Sequence, residues 1–336
     1  MKRLCTLLIL AIRLFVSAQD IHFSQFNSSP LSINPALTGL FDAQFRIVGN
    51  QRNQWSSITV PYVTSAVSFD MNARPGKRED YIGLGFLMTR DNAGDAGLGT
   101  SQFLLSMSYI KRLTEKGLFI SYGMQAGFAQ RRINFSQLNF ENQFDGRKFD
   151  PSLGTGESLN SSSANYFDFN TGLNVFYKFK SGNNINIGYG IYHLNRPSAA
   201  LLSESQFNLS PLSVLHFTSM VHLAGPFSIL PGLYFVRHQN NLQLNTGTYL
   251  KYSFNTKDSR ALYLGTWMRL KNMDAFIITA RLEIKRINLG FSYDINSSPL
   301  SKVSNYRGAT EFSLIYIFDK SKKVPRINSI PCPAFM

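Results

Sequence analysis

The chain has 336 residues, of which 16% are charged, and a formal net charge of +14. Of its two cysteines, Cys5 and Cys332, the first falls in an export leader, so an internal disulfide framework is excluded. The basic residues are scattered over turn-like stretches such as ARPGKRE, EIKR and KKVPR. That scatter argues against nucleic acid, which calls for a clustered basic face, and fits solvated turns beside acidic lipid head groups.

The first residues, MKRLCTLLILAIRLFVSAQD, place Lys2 and Arg3 before an apolar run that ends at Val16-Ser17-Ala18. This predicts a signal peptide over 1–18, cleaved before Gln19, with Arg13 atypical inside the apolar run. No later segment reaches the ~18 consecutive apolar residues that a membrane helix needs. Residues 19–40, QDIHFSQFNSSPLSINPALTGL, are rich in Asn, Ser and Pro, and Asn34-Pro35 marks a turn. They predict an ordered N-terminal segment, periplasmic or lumenal.

From residue 41 the side-chain period becomes two. Alternation runs through 41–49, 63–71, 82–88, 103–109, 118–128, 167–177 and 185–191, and less cleanly through 214–223 and 227–238. It is plainest in NLQLNTGTYLKYSF, where Leu242, Leu244, Leu250 and Phe254 share one side and Gln243, Asn245, Tyr249 and Lys251 the other. Residues 261–270, 275–284, 287–294 and 312–318 repeat it. The count is about fourteen strands with no convincing helix, so the chain reads as all-β.

Two features favour lipid over a protein core as the partner of the apolar side. The opposite faces carry Gly, Ser, Asn and Tyr with occasional charges, which suits a wet and crowded interior. Connection length also alternates. ARPGKRE, LTEK, KSGNN, LAGP, NTKDS and KR are short, whereas 52–62, 90–97, 134–163, 195–212 and 296–308 are long. Outer-membrane barrels have short periplasmic turns and longer surface loops. Two links, HQNN and LKNMD, are short on the expected outer side. The prediction is a transmembrane antiparallel β-barrel over 41–318, followed by a basic periplasmic tail at 319–336. Leu242, Leu244 and Leu250 are expected to face lipid.

Catalytic signals are weak. His216 and His222 lie on one strand face but about 20 Å apart, too far to share a metal. No HExxH, paired CxxC or GxSxG is present. Gly83-Leu84-Gly85 lacks the rest of a nucleotide-binding fingerprint, and DNAGDAG at 91–97 reads as a Gly-rich surface turn rather than a calcium loop. His193 and Glu204 on one outer loop admit a hydrolytic reading only if they come within hydrogen-bond reach of a nucleophile. The expectation is a protein without catalytic residues, metal or cofactor.

Ordered motifs then carry a resemblance. QDIHFSQFNSSPLSINPALTG, RNQWSSI, TSAVSFD, GLGFLMTRDNAGDAGLGTSQF, FSQLNFENQFDGRKFDPSLGTGE, YHLNRPS and the closing CPAF resemble the PorP/SprF family of type IX secretion and gliding-motility proteins of Bacteroidota. The match covers essentially the whole mature chain. Departures are Asn27-Ser28-Ser29, where the family tends to bulkier residues, and Ala334, where a basic residue is common.

The resemblance implies a non-enzymatic outer-membrane barrel that helps to export a secreted, adhesin-like cargo or to anchor it at the surface. Its implied partners are components of the secretion machinery. The alternative is a diffusion channel or a transporter of small molecules or lipids. Candidate partner-binding residues are Arg52, Asn53, Gln54 and Trp55 at the end of the first strand, and Asn195, Arg196 and Pro197 opening a long loop. Trp55 and Arg52 equally fit an interfacial aromatic with an arginine at head-group level. Phe140, Phe144 and Phe149 in the longest loop either fold inward as a plug, the preferred reading, or face a partner; the lumen is either open or filled by Tyr249, Trp267 and that loop.

Overall fold

The computed structural model describes residues 21–58, 60–73, 80–94, 96–114, 117–156, 162–201, 207–255, 260–270, 274–298 and 301–318. The expected signal peptide and basic tail lie outside them. Among the described residues fourteen antiparallel strands close into one barrel. In chain order they are β1 (Phe45–Gln54), β2 (Tyr62–Ala73), β3 (Tyr81–Ala93), β4 (Leu98–Thr114), β5 (Leu118–Arg132), β6 (Ser163–Lys178) and β7 (Asn184–Tyr192). They continue with β8 (Leu212–His222), β9 (Phe227–His238), β10 (Asn241–Asn255), β11 (Arg260–Arg269), β12 (Ala275–Ile284), β13 (Ile287–Asn296) and β14 (Arg307–Phe318).

Closure occurs between the first and last strands, with Phe45 opposite Phe318 at one end and Gln54 opposite Ala309 at the other. A closed ring leaves no edge with unpaired backbone groups, which hydrocarbon would not tolerate. Phenyl rings reinforce the seam on its outer side. Phe45 stacks on Phe318 at 5.0 Å and on Phe69 at 6.1 Å, and the ladder continues through Phe86 to Phe103.

The burial pattern is inverted relative to a water-soluble protein. In β10, Leu242 and Leu250 are 42% and 45% exposed, whereas Asn245 and Tyr249 are buried. Leu84, Phe103, Leu173, Ile187, Leu264 and Ile278 continue the exposed apolar band on other strands. Arg46, Asp70, Asn170, Asn174 and Glu311 are buried inside. Large aliphatics outside and amides or charges inside suit a lipid-facing wall around a polar interior.

The long connections 133–162 and 193–211 gather at one end, which is therefore the cell-surface end. Short turns such as Lys285–Arg286 close the other. Among the described residues helix is confined to short turns: Phe26–Ser28, Pro30–Ile33 and Pro35–Leu37 in the N-terminal segment, Phe135–Gln137 and Glu141–Gln143 in the longest loop, and Ser301–Ser304 before β14.

The first strand starts at Phe45 rather than at residue 41. Phe41 is fully buried, with the Arg46 guanidinium 4.5 Å above its ring. The Asn72 amide meanwhile reaches the carbonyls of Gly39, Phe41 and Ala43. These bonds hold 39–43 against the inner wall, so the apparent alternation of Phe41, Ala43 and Phe45 spans two environments.

Candidate functional site

Residues 21–41 lie inside the barrel, and the wall is built to receive them. Pro30 and Pro35 each open a helical turn, where a fixed φ is already suitable and a missing N–H costs nothing. Between them the Asn34 side chain caps the second turn by accepting from the Ala36 amide at 2.9 Å. The same side chain donates to the Leu173 carbonyl at 2.9 Å and lies 3.2 Å from the His216 ring. One residue thus ends a turn and ties it to β6 and β8.

Near the surface end the contacts are ionic. The two carboxylate oxygens of Glu311 accept the backbone amides of Ser24 at 2.8 Å and Gln25 at 3.0 Å. Arg52 forms ion pairs with Asp294 at 2.9 Å and Glu311 at 3.2 Å, and donates to the Ser24 hydroxyl at 2.6 Å. Ser24 in turn donates to Asp294 at 2.8 Å, and Arg269 approaches Asp294 at 3.4 Å. Two guanidinium groups therefore face two carboxylates, so the buried charges balance. Lower on the same wall Arg46 forms a two-pronged pair with Asp70, at 2.9 and 2.6 Å. Asp70 also accepts the Gly39 amide at 2.8 Å.

On the opposite wall the segment lies directly against backbone. A Cβ added at Gly83 would overlap the Thr38 carbonyl, and one at Gly123 would overlap the Pro35 peptide. Only glycine permits that approach. Short side chains beside these glycines bond the segment's carbonyls: Ser108 to Thr38 at 2.6 Å and Ser121 to Ala36 at 2.8 Å.

Phe26 plugs an aromatic socket between the walls. It stacks on Tyr234 at 5.0 Å and meets Trp267 edge-on at 5.1 Å. Tyr249 packs against Trp267, Arg281 lies 5.4 Å above the Tyr249 ring, and Arg281 donates to the Ser28 hydroxyl at 2.8 Å. Tyr249 and Trp267 are buried inside the barrel.

The sequence-predicted rim residues divide. Arg52 is a correction: it is enclosed in the lumen and committed to Asp294, Glu311 and Ser24, so it offers nothing to a partner at the rim. Gln54 lies 3.5 Å from the Arg52 guanidinium, and Asn53 accepts from Gln51 at 3.3 Å on the outward face. Trp55 stands at the rim with φ 59° and its ring edge-on to Tyr62 at 5.0 Å. Asn195 acts as a strand cap, donating to the Phe167 carbonyl at 2.7 Å and accepting the Phe169 amide at 3.1 Å. Arg196 is exposed with φ 46°, and Pro197 is buried.

The longest loop does not fold inward as expected. Phe144 and Phe149 are 56% and 44% exposed and pair with each other as a short bridge on the surface. Turns cap the loop internally: Asp145 accepts the amides of Lys148 and Arg147, which holds its carboxyl below the usual carboxylate range. His193 is buried with its Nδ1 2.9 Å from Asp168. Glu204 lies outside the described residues. Among those residues no cluster of three metal-ligating side chains occurs.

Several solved structures match the chain at low identity. The toluene transporter TbuX of Ralstonia pickettii matches at 11% identity and TM-score 0.49, covering 87% of this chain and 94% of its own. The Pseudomonas putida toluene transporter TodX matches at 12% and 0.49, covering 86% and 91%. The translocator domain of the autotransporter NalP from Neisseria meningitidis matches at 10% and 0.43, covering 82% and 89%. No curated protein matches the chain. The family described as type IX secretion system membrane protein PorP/SprF matches residues 15–316, and the chain belongs to that family of outer-membrane barrels.

Proposed function

We propose that this barrel is a non-enzymatic accessory of type IX secretion that assists the export or surface anchoring of a secreted, adhesin-like protein by contact rather than by conduction. The observation that carries the reading is the filled lumen. Residues 21–41 occupy it, bonded to both walls, in a chain whose family belongs to a protein-secretion system. A barrel sealed in this way works through its surfaces. Its candidates are the half-buried Trp55, Asn53 and Gln54 at the rim, and the exposed Asn195, Arg196, Phe144 and Phe149.

Affinity capture of the tagged protein from native outer membranes, followed by mass spectrometry, tests this reading. Enrichment of secretion-machinery components together with one large secreted protein is the expected result. Planar-bilayer recording of the purified protein is expected to show no steady current. Steady conductance without an associated protein would instead favour a diffusion channel.

A further inference from the structure

On the outward side of the barrel, near its surface end, Arg196, residues 208–211 and the ends of β8 and β9 line an open recess of about 560 Å³. Arg196, Arg237, Ser210, Ser213, Asn208 and Gln239 line it. Arg237 lies opposite Ser213 on β8 and Leu242 on β10. Leu242 is exposed, as is Leu215, which follows Ser213 on the same side of β8. Leu209 and Pro211 complete the lining, and the lipid-facing apolar band runs past the recess at Leu242 and Leu215.

Its shape is set by the fold rather than by a ligand. The Ala199 amide donates to the Phe207 carbonyl at 2.8 Å, and the Leu209 amide to the Pro197 carbonyl at 2.9 Å. These bonds fold the loop on itself and fix the base from which Arg196 projects. Arg131 covers the Phe207 ring at 4.9 Å, tying the loop to β5. Ser213 accepts a hydrogen bond from the Tyr189 hydroxyl at 3.0 Å, and Gln239 donates to the Ser210 hydroxyl. Among the described residues neither the Arg196 nor the Arg237 guanidinium has an anionic partner. Elsewhere in the barrel Arg46, Arg52 and Arg269 all pair with carboxylates.

Two guanidinium groups with no anionic partner among the described residues, flanked by hydroxyls and amides, call for an anion with several acceptor oxygens. Guanidinium binds phosphate through paired, charge-assisted hydrogen bonds. The position at the surface end and the apolar band running past it call for that anion to be attached to acyl chains. We propose that this recess holds the phosphate head group of an anionic outer-leaflet lipid, with Arg196 and Arg237 on the phosphate and the acyl chains lying along Leu215 and Leu242. The proposal stands independently of the secretion role, because its readout needs only the purified barrel.

The test uses the mature barrel in mild detergent and native mass spectrometry with added diphosphorylated lipid A, phosphatidylethanolamine, or inorganic phosphate. The wild-type protein is expected to retain lipid A over phosphatidylethanolamine, and millimolar inorganic phosphate is expected not to displace it. Arg196→Ala with Arg237→Ala should lower the lipid-bound fraction about tenfold, as loss of paired charge-assisted bonds predicts. The pair Arg260→Ala with Arg286→Ala removes the same charge at the opposite mouth and should leave retention unchanged. The single change Arg196→Ala, at an exposed loop position, serves as a second variant if the double one does not fold, and should lower retention by itself. An equal loss in the opposite-mouth pair, equal retention of phosphatidylethanolamine, or displacement by inorganic phosphate would each overturn the proposal.

Discussion

The wall formed by β11–β14, β1 and β2 meets residues 21–41 with charge, through Arg52, Asp294, Glu311, Arg269, Arg46 and Asp70. The wall formed by β3–β7 meets the same segment with glycine backbone and short hydroxyls, through Gly83, Ser108, Ser121 and Gly123. Charges act over several ångströms and tolerate small displacements, provided each keeps a partner. Backbone-to-backbone approach tolerates none, because one added carbon occupies the space of the segment itself. The first wall orients the segment by pairing, and the second sets its depth by contact.

The largest change is expected at the charged wall. Arg52→Met would leave Glu311 without a guanidinium and Asp294 with Arg269 alone. Breaking a buried ion pair from one side costs about 3–5 kcal/mol, because the remaining charge is stranded. Hydrogen exchange of the purified barrel should show the Ser24 and Gln25 amides, which Glu311 accepts, losing protection by that order. The Leu37 and Thr38 amides should change far less. If both ends open together, the segment is one cooperative unit and the contrast between the walls is wrong.

Gly123→Ala probes the other wall. The added methyl would meet the Pro35 peptide, and overpacking of this kind costs about 1–3 kcal/mol. The expected pattern is the reverse of the first: exchange rises at Ala36, Leu37 and Thr38 while Ser24 and Gln25 keep their protection. The same variant should also conduct intermittently in planar bilayers, as the segment lifts from the wall. A silent variant with unchanged exchange would mean that the barrel wall yields instead.

These walls differ in how openly the sequence displays them. Strand count, closure and the lipid-facing side follow from alternation, which is a local signal and survives any packing inside. Glycine at Gly83, Gly123, Gly172 and Gly188 is also visible, and each stands on the polar side of its strand. Those positions ask for something close against them, which is what separates a lumenal segment from one at the mouth. The charged wall is less legible. Arg52 sits beside Asn53, Gln54 and Trp55, which look like a rim, while its partners Asp294 and Glu311 lie more than two hundred residues away in the chain. No local pattern links them. The long-loop aromatics mislead for a related reason: a backbone bridge pairs Phe144 with Phe149 and both side chains stay exposed, so a count of phenyl rings does not predict burial here.

The smallest expected effect isolates the hydrogen-bond part of the glycine wall. Ser121 and Gly123 are inward neighbours on β5, and both meet the turn that contains Ala36. Ser121→Ala adds no atoms and removes one donor, leaving the Ala36 carbonyl without that partner. A neutral bond of this kind contributes about 0.5–1.5 kcal/mol net. Protection at Leu37 and Thr38 should fall by that amount, roughly half of the Gly123→Ala effect, with no conductance. Because the two residues share a contact, their effects are not expected to add, and the double variant should cost less than the sum of the single changes. Equal effects from the two single changes would mean that the glycine matters through bonding around it rather than through the space it leaves, and the distinction between orientation by charge and depth by contact would then fail at its second half.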